Sequence, residues 1–443
     1  MRKTLLLALA APLLAQDPLS LREAVRLALR ENKAIAAANA GMRASTSRIE
    51  EARAGRLPKL NYSESFIRSD NPVFVFSSLL TQHQFGPENF NIGPLNRPDS
   101  INDFQSILSV DQTLYDAGQT RNAVKSADLS RQVTVEEQRR TRMQVISGVV
   151  GAYYGAVLAA ESLKTAEQGL RSAEADLQRA ESVRAAGMST DVDVLSIRVH
   201  LAAVTEQRIQ RTADLDVAKS ALNDALGLPL DAPHTLTSAL SPLDLPDLEL
   251  ASLEHDASST RPEARATHLA AGIAKTQSDS ARSALLPQVG FHAAFEADRQ
   301  EFVTKGGVNW LASIGLRWNL FNGFGDKARI EESSQWMERA HADEQRVDSA
   351  VRLEVRRAWA GLRAAAQRIE VAKAAVAEAE ESLRITQNRY EAGMSNVTDL
   401  LRNETAVLES RTRHLAAVHD QRIAATMLEL AAGRLSPDSE VLN

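Results

Sequence analysis

The chain has 443 residues, 44% of them hydrophobic and 24% charged, with a formal net charge of −6. Those values lie near the globular average, which excludes wholesale disorder, a collagen-like repeat and a polytopic helical membrane protein. The 57 Asp and Glu outnumber the 51 Lys and Arg, so there is no basic footprint for nucleic acid.

Length sets a soft expectation of roughly three domains, and only 14 Pro and 21 Gly predict long uninterrupted elements. Residues 1–16 read as a signal peptide: a basic Met1-Arg2-Lys3, an apolar run from Leu5 to Leu14, and a small residue, Ala15, before Gln16. That run is too short to span a bilayer, and no later stretch is expected to reach the roughly 18–20 apolar residues that a spanning helix needs. The chain has no cysteine, so export brings neither disulfides nor thiolate metal sites, and no cysteine is present to carry a lipid.

The mature chain then reads as one unit written twice. Ala186-Gly187-Met188-Ser189 recurs as Ala392-Gly393-Met394-Ser395, an offset of 206 residues. The same offset pairs Leu114-Tyr115-Asp116 with Leu320-Phe321-Asn322, Asp193 with Asp399, and Gly227 with Gly433. The predicted organisation is a first repeat over 17–227, a linker over 228–262, a second repeat over 263–435 and a tail over 436–443. Leu57-Pro58 matches Leu286-Pro287 at the larger offset of 229 residues. The first copy therefore carries an insertion, placed between Ser69 and Asn102 and expected to be a loop rich in Pro, Asn and Gly.

Within each repeat the chain order is helix, two strands, then a long helical hairpin. The strands are predicted at about 60–68 and 106–115, and at about 288–298 and 309–321. Trp310, Ala312, Ile314, Leu316, Trp318 and Leu320 alternate with another set, giving one wholly apolar face. The step from Trp310 to Trp318 is ~26 Å at ~3.3 Å per residue, close to the ~25 Å apolar band of an outer-membrane barrel. Val289, Phe291, Ala293 and Phe295 supply a matching strand, whereas Leu108, Val110, Gln112 and Leu114 alternate less cleanly. No proline falls between Asp99 and Leu228 or between Gln288 and Ser436, so both stretches permit very long helices. Leu163, Leu170 and Leu177 recur every seven residues beside Ala166, Ala173 and Ala180, a coiled-coil seam repeated by Ile369, Val376, Leu383 and Tyr390. Beyond each turn, Leu195, Ala202 and Ile209 are matched by Leu401, Leu408 and Leu415. Four strands per chain cannot close a barrel, and an open edge in lipid leaves backbone groups unpaired at several kcal/mol each, so oligomerisation is required. Two, three or four copies would give 8, 12 or 16 strands, and counting alone does not choose among them.

On these residues the chain resembles the TolC family of outer-membrane efflux proteins, over essentially the whole mature sequence. The resemblance rests on the strand-to-helix junctions at Leu114-Tyr115-Asp116-Ala117-Gly118 and Leu320-Phe321-Asn322-Gly323. It rests also on the Ala-Gly-Met-Ser tips and on the linker from Leu226-Gly227-Leu228-Pro229 to Arg261-Pro262-Glu263. It implies a mixed α and β membrane protein: a homotrimeric 12-stranded transmembrane β-barrel continuous with a periplasmic α-helical coiled-coil barrel. It also implies an outer-membrane location in a Gram-negative cell and a passive duct of a tripartite efflux or type I secretion system. The partners implied are a periplasmic adaptor, an inner-membrane transporter and outer-membrane lipid, and no cofactor or metal is implied. Docking to the adaptor would fall on Gly187, Met188, Ser189, Gly393, Met394 and Ser395, the membrane girdle on Trp310 and Trp318, and the periplasmic gate on Asp399, Tyr390, Arg402 and Asp193. A plainer reading stands beside the gate, because an acid in the first helical turn is stabilised by the macrodipole; both roles can hold for Asp193 and Asp399. Arg402 stands where some members carry a second aspartate, which argues against strong cation selectivity.

Catalytic constellations are missing. The nine histidines show no His-Glu-x-x-His spacing, and there is no Gly-x-Ser-x-Gly elbow or phosphate-binding Gly-Lys-Ser/Thr loop. A secreted hydrolase lacks a nucleophile cluster, and a periplasmic coiled-coil adaptor or scaffold would have no use for the tryptophan-bearing strands. Neither displaces the duct.

Overall fold

The computed structural model describes residues 18–187, 190–244, 249–303 and 305–442. The expected signal peptide therefore lies outside the described residues, as do Met188 and Ser189. In chain order the elements are β1 (Pro18–Leu19), α1 (Leu21–Glu31), α2 (Lys33–Arg53), β2 (Lys59–Ser69), α3 (Pro72–Thr81), α4 (Ile92–Asn96), β3 (Ile101–Tyr115), α5 (Gln119–Ala185) and α6 (Asp191–Leu226). They continue with β4 (Thr235–Leu236), α7 (Leu250–Thr260), α8 (Pro262–Ser283), β5 (Gln288–Arg299), β6 (Gly306–Arg317), α9 (Gly325–Glu391) and α10 (Val397–Ala431). The chain divides into two units, Met1–Gly41 with Val135–Ala266 and Gln345–Asn443, and Met42–Thr134 with Thr267–Glu344.

The second unit holds an antiparallel sheet in the order β2-β3-β5-β6. Register aligns the apolar residues of β5 and β6 one for one: Phe295 with Trp310, Ala293 with Ala312, Phe291 with Ile314 and Val289 with Leu316. Leu60 with Val110, and Tyr62 with Leu108, extend that face across β2 and β3. The face is exposed; Trp310 is 79% accessible. The opposite face carries Asn61, Asp111 and His292, with Asn61 Nδ2 donating to Asp111 at 3.2 Å and His292 Nδ1 2.8 Å from the same carboxylate. The first-copy strands alternate less cleanly because Glu64, on the apolar face, is matched by Arg299 at 3.0 Å.

Three expectations are corrected in detail. The last strand begins at Gly306 and ends at Arg317, so Trp318 follows it, with its indole N–H donating to the Leu285 carbonyl at 3.0 Å. The insertion is not a plain loop: α3 and α4 occupy it. Asn71 Oδ1 caps α3 by accepting from the Val73 and Phe74 N–H groups, and buried Gln82 donates to Asp103 at 2.9 Å, tying the segment to β3. Val73-Phe74-Val75-Phe76 is the first turn and a half of that helix, with Phe76, Phe85 and Phe90 stacked edge to face. Lastly, one stretch of α5 does reach the hydropathy of a spanning helix, with a mean of 1.5 over its most apolar 18 residues and half of that window buried. Val149, Val150, Tyr153 and Tyr154, in that apolar part of α5, form the centre of the first unit's core.

That core gathers Leu21, Ala24, Val25 and Ala28 of α1, spaced on one helical face, with Leu226 and Leu428. Ser20 starts α1 through a reciprocal capping box with Glu23. The Tyr153 hydroxyl donates to the Leu19 carbonyl at 2.8 Å and accepts from the Ser238 N–H at 3.0 Å, so the parallel β1–β4 pair is pinned from inside. Gly227 ends α6 at φ +80°, and a Cβ there would meet the Glu31 carbonyl oxygen at 2.8 Å, which leaves glycine as the residue that fits.

Both long hairpins begin at similar junctions. The Asp116 carboxylate accepts from the Gly118 and Thr120 N–H groups, and Asn322 Oδ1 accepts from the Asp326 N–H at 3.2 Å. These side chains satisfy helix N–H groups that have no partner inside the helix. The helices that follow have 67 residues each, and the return helices 36 and 35. Ala166, Ala173 and Ala180 are buried as the heptad requires. The α6 seam differs: Leu195 and Ile209 are exposed, and the buried row is Val194, Ile197 and Val204. Sequence periodicity finds both stripes of such a helix but not which of them the same chain covers.

Candidate gate and hairpin tips

Each hairpin turns on a glycine in the left-handed region, Gly187 at φ +76° and Gly393 at φ +69°. Gly187 N–H donates to the Arg184 carbonyl at 2.8 Å and Gly393 N–H to that of Tyr390 at 3.0 Å. Met394 is exposed and Ser395 half-buried at the second tip.

The four gate residues divide by what their side chains already do. Asp193 accepts from the Thr190 hydroxyl at 2.8 Å and the Thr190 N–H at 3.1 Å, completing a capping box, so its carboxylate is committed to starting α6. Asp399 occupies the corresponding turn of α10, but there Asn396 supplies the cap, accepting from the Asp399 N–H at 2.8 Å. The Asp399 carboxylate is left to face Arg402 at 3.5 Å on an exposed surface. Tyr390 packs beside Leu177, Ala180, Val194, Ile197 and Val397, joining both hairpins in one apolar cluster. Burial, then the nearby Asp193 and Asp176, push its phenol above the usual tyrosine range.

Sequence reasoning missed a second polar group beside this cluster. Asp176 of α5 and Glu404 of α10 are each buried to 6% exposure, with His200 of α6 and Arg179 of α5 alongside. The signal was available: Ala166, Gly169, Ala173, Asp176 and Ala180 form one alternating three- and four-residue seam, and a charge on such a seam is a core position that water cannot serve. Glu404 sits likewise between Leu400 and Val407.

An exposed apolar sheet face, two sheet edges unpaired among the described residues, and two long hairpins are the features an outer-membrane protein of mixed α and β structure requires. The family described as outer membrane efflux protein matches residues 24–228 and 253–434, and the chain belongs to it. Protein CyaE of Bordetella pertussis is 28% identical over 326 residues, covering 73% of this chain and 69% of CyaE. The outer membrane efflux protein BepC of Brucella suis is 24% identical over 86% of this chain and 83% of its own length. The crystal structure of the Campylobacter jejuni CmeC outer membrane channel superposes with a TM-score of 0.79 at 16% identity, covering 95% of this chain and 87% of that one. The chain is therefore an outer-membrane exit duct for efflux or secretion and not an enzyme.

Proposed function

We propose that three copies close a 12-stranded barrel, the apolar sheet face meeting lipid and the polar face with Asp111 and His292 lining the lumen. The observation that carries this reading is the sheet itself: β2 and β6 each pair on one side only among the described residues, and their outward groups need partners in a bilayer. The chain is two copies, 17–227 and 263–435, joined by 228–262 and followed by 436–443, a division supported by the matched helix lengths. Trp310 and Trp318 anchor the barrel at its two interfaces. The tips at Gly187-Met188-Ser189 and Gly393-Met394-Ser395 dock a periplasmic adaptor, which links the duct to an inner-membrane transporter. Asp399, Tyr390, Arg402 and Asp193 form the periplasmic gate, with Tyr390 joining the two hairpins in the resting state and Asp399 with Arg402 setting its charge. Adaptor docking opens the gate by binding the dilated state better than the closed one.

Because the chain has no cysteine, the assembly is testable by introducing one along β2 and one along β6 and oxidising intact membranes. Disulfide-linked trimers are expected for some pairs, and exclusively monomers across the whole scan would overturn the closed-barrel reading.

A further inference from the structure

The carboxyl groups of Asp176 and Glu404 meet where four helices converge. Ser172 Oγ donates to Glu404 Oε1 at 3.4 Å, and His200 Nε2 of α6 lies 3.3 Å from Glu404 Oε2. Arg179 Nη1 contacts Asp176 Oδ1 at 3.1 Å and Glu391 of α9 at 3.5 Å. Asp176 Oδ2 is fully buried with no donor in reach, and the buried Glu404 Oε2 has only the His200 contact. Carboxylates have no donor, so two of them in contact repel unless a proton lies between them. Arg179 is shared between Asp176 and Glu391 and His200 faces Glu404, so no positive side chain is dedicated to Asp176.

We propose that Asp176 and Glu404 share one proton and so form a pH-operated clasp between the first hairpin, α5 with α6, and the second, α9 with α10. The clasp is closed while the proton is held and loosened when it leaves. Its structural part stands on this cluster alone; its consequence for conduction rests on the duct reading.

Asp176 is the group that holds the proton. Burial, then the hydrogen bond and charge of Glu404, push it up to about 8. Burial also acts to raise Glu404, but His200 and the hydrogen bonds from Asp176 and Ser172 outweigh it and keep that carboxyl below its ordinary value. The folded chain thus binds a proton that the unfolded chain has already lost, so α5–α10 packing weakens as pH rises from the ordinary carboxylate range and is weakest above about 8.

The test uses full-length protein, wild type, Asp176→Asn and Glu404→Gln. The amide of Asp176→Asn keeps a donor toward Glu404 without a titrating proton. Infrared titration of the protonated-carboxyl stretch should show one carboxyl deprotonating near pH 8 in the wild type, none there in Asp176→Asn, and a midpoint lowered by about one unit or more in Glu404→Gln. Spin labels at Arg171→Cys and Glu409→Cys should report a broader, longer α5–α10 distance above that pH in the wild type and no change in Asp176→Asn. No protonated carboxyl above about pH 6, or an alkaline widening that survives in Asp176→Asn, overturns the clasp. Bilayer conductance should rise over the same range. Absence of conductance at every pH, with the spectroscopic results as expected, would instead sink the duct and leave the clasp standing.

Discussion

Arg402→Ala should raise the cation preference of the reconstituted channel, and Asp399→Ala should lower it, with little change in stability from either. The two side chains are 3.5 Å apart at i and i+3, with 74% and 44% of their side-chain surfaces exposed. An exposed helical pair of that kind contributes only about 0.3–0.5 kcal/mol, so its loss should leave thermal unfolding nearly unmoved. Charge tells differently. In the proposed trimer the intact pairs set three acids against three guanidinium groups; without Arg402, three acids would face the proposed aperture unbalanced. At ~10 Å from the axis and a dielectric constant of ~80, each contributes about 0.4 kcal/mol for a passing monovalent ion, or roughly 1.2 kcal/mol for three. Screening over a Debye length of ~10 Å at 0.1 M salt reduces this to about 0.5 kcal/mol, roughly a twofold change in relative permeability. Reversal potentials in asymmetric salt measure it directly, and the effect should shrink as ionic strength rises. Shifts of the same sign in both variants, or no shift at low salt, would refute the assignment of this pair to the constriction.

Other outcomes follow from the interior. Tyr153→Phe strands the Ser238 N–H and removes one of the two donors to the Leu19 carbonyl, which keeps the Thr237 N–H at 3.2 Å, and should lower stability by about 1–2 kcal/mol, read as a shift in denaturant midpoint. Gly227→Ala should cost about 2 kcal/mol or more through left-handed strain and the clash with Glu31, whereas Gly41→Ala, in a helix with nothing within 4 Å of the added carbon, should stabilise by about 0.5–1 kcal/mol. Asp116→Ala removes the acceptor for two N–H groups at the start of α5 and should cost about 1 kcal/mol. Wild-type stability should fall as pH climbs toward about 8, and urea midpoints for Asp176→Asn should fall less over the same range.

Much of this architecture was legible in one dimension because its periods are long and uninterrupted. The alternation from Trp310 to Leu316 marks a strand with one apolar face, and Phe291, Ala293 and Phe295 mark its neighbour; the observed pairing places them side by side. Proline-free stretches and heptads announced α5 and α9. The insertion was less legible because α3 and α4 are only 10 and 5 residues long, too short for a helical period to emerge, and their order depends on Gln82 reaching Asp103. At the tips, Asp193 and Asp399 are indistinguishable by spacing. Only the identity of the capping partner, Thr190 or Asn396, together with its geometry, separates a carboxylate used by its own helix from one free to face Arg402.

The sequence by itself determined the kinds of element and their order, since periods of 2, 3.6 and 7 residues, turn glycines and proline placement are local properties of a chain. Tertiary structure alone decided which of two apolar stripes on α6 is covered, and that Asp176, His200, Arg179 and Glu404 meet in one cluster whose two carboxyl groups are buried. Contacts between residues more than 200 positions apart, as from Asp176 to Glu404, depend on how helices are packed, and packing is settled by the whole set of neighbours at once.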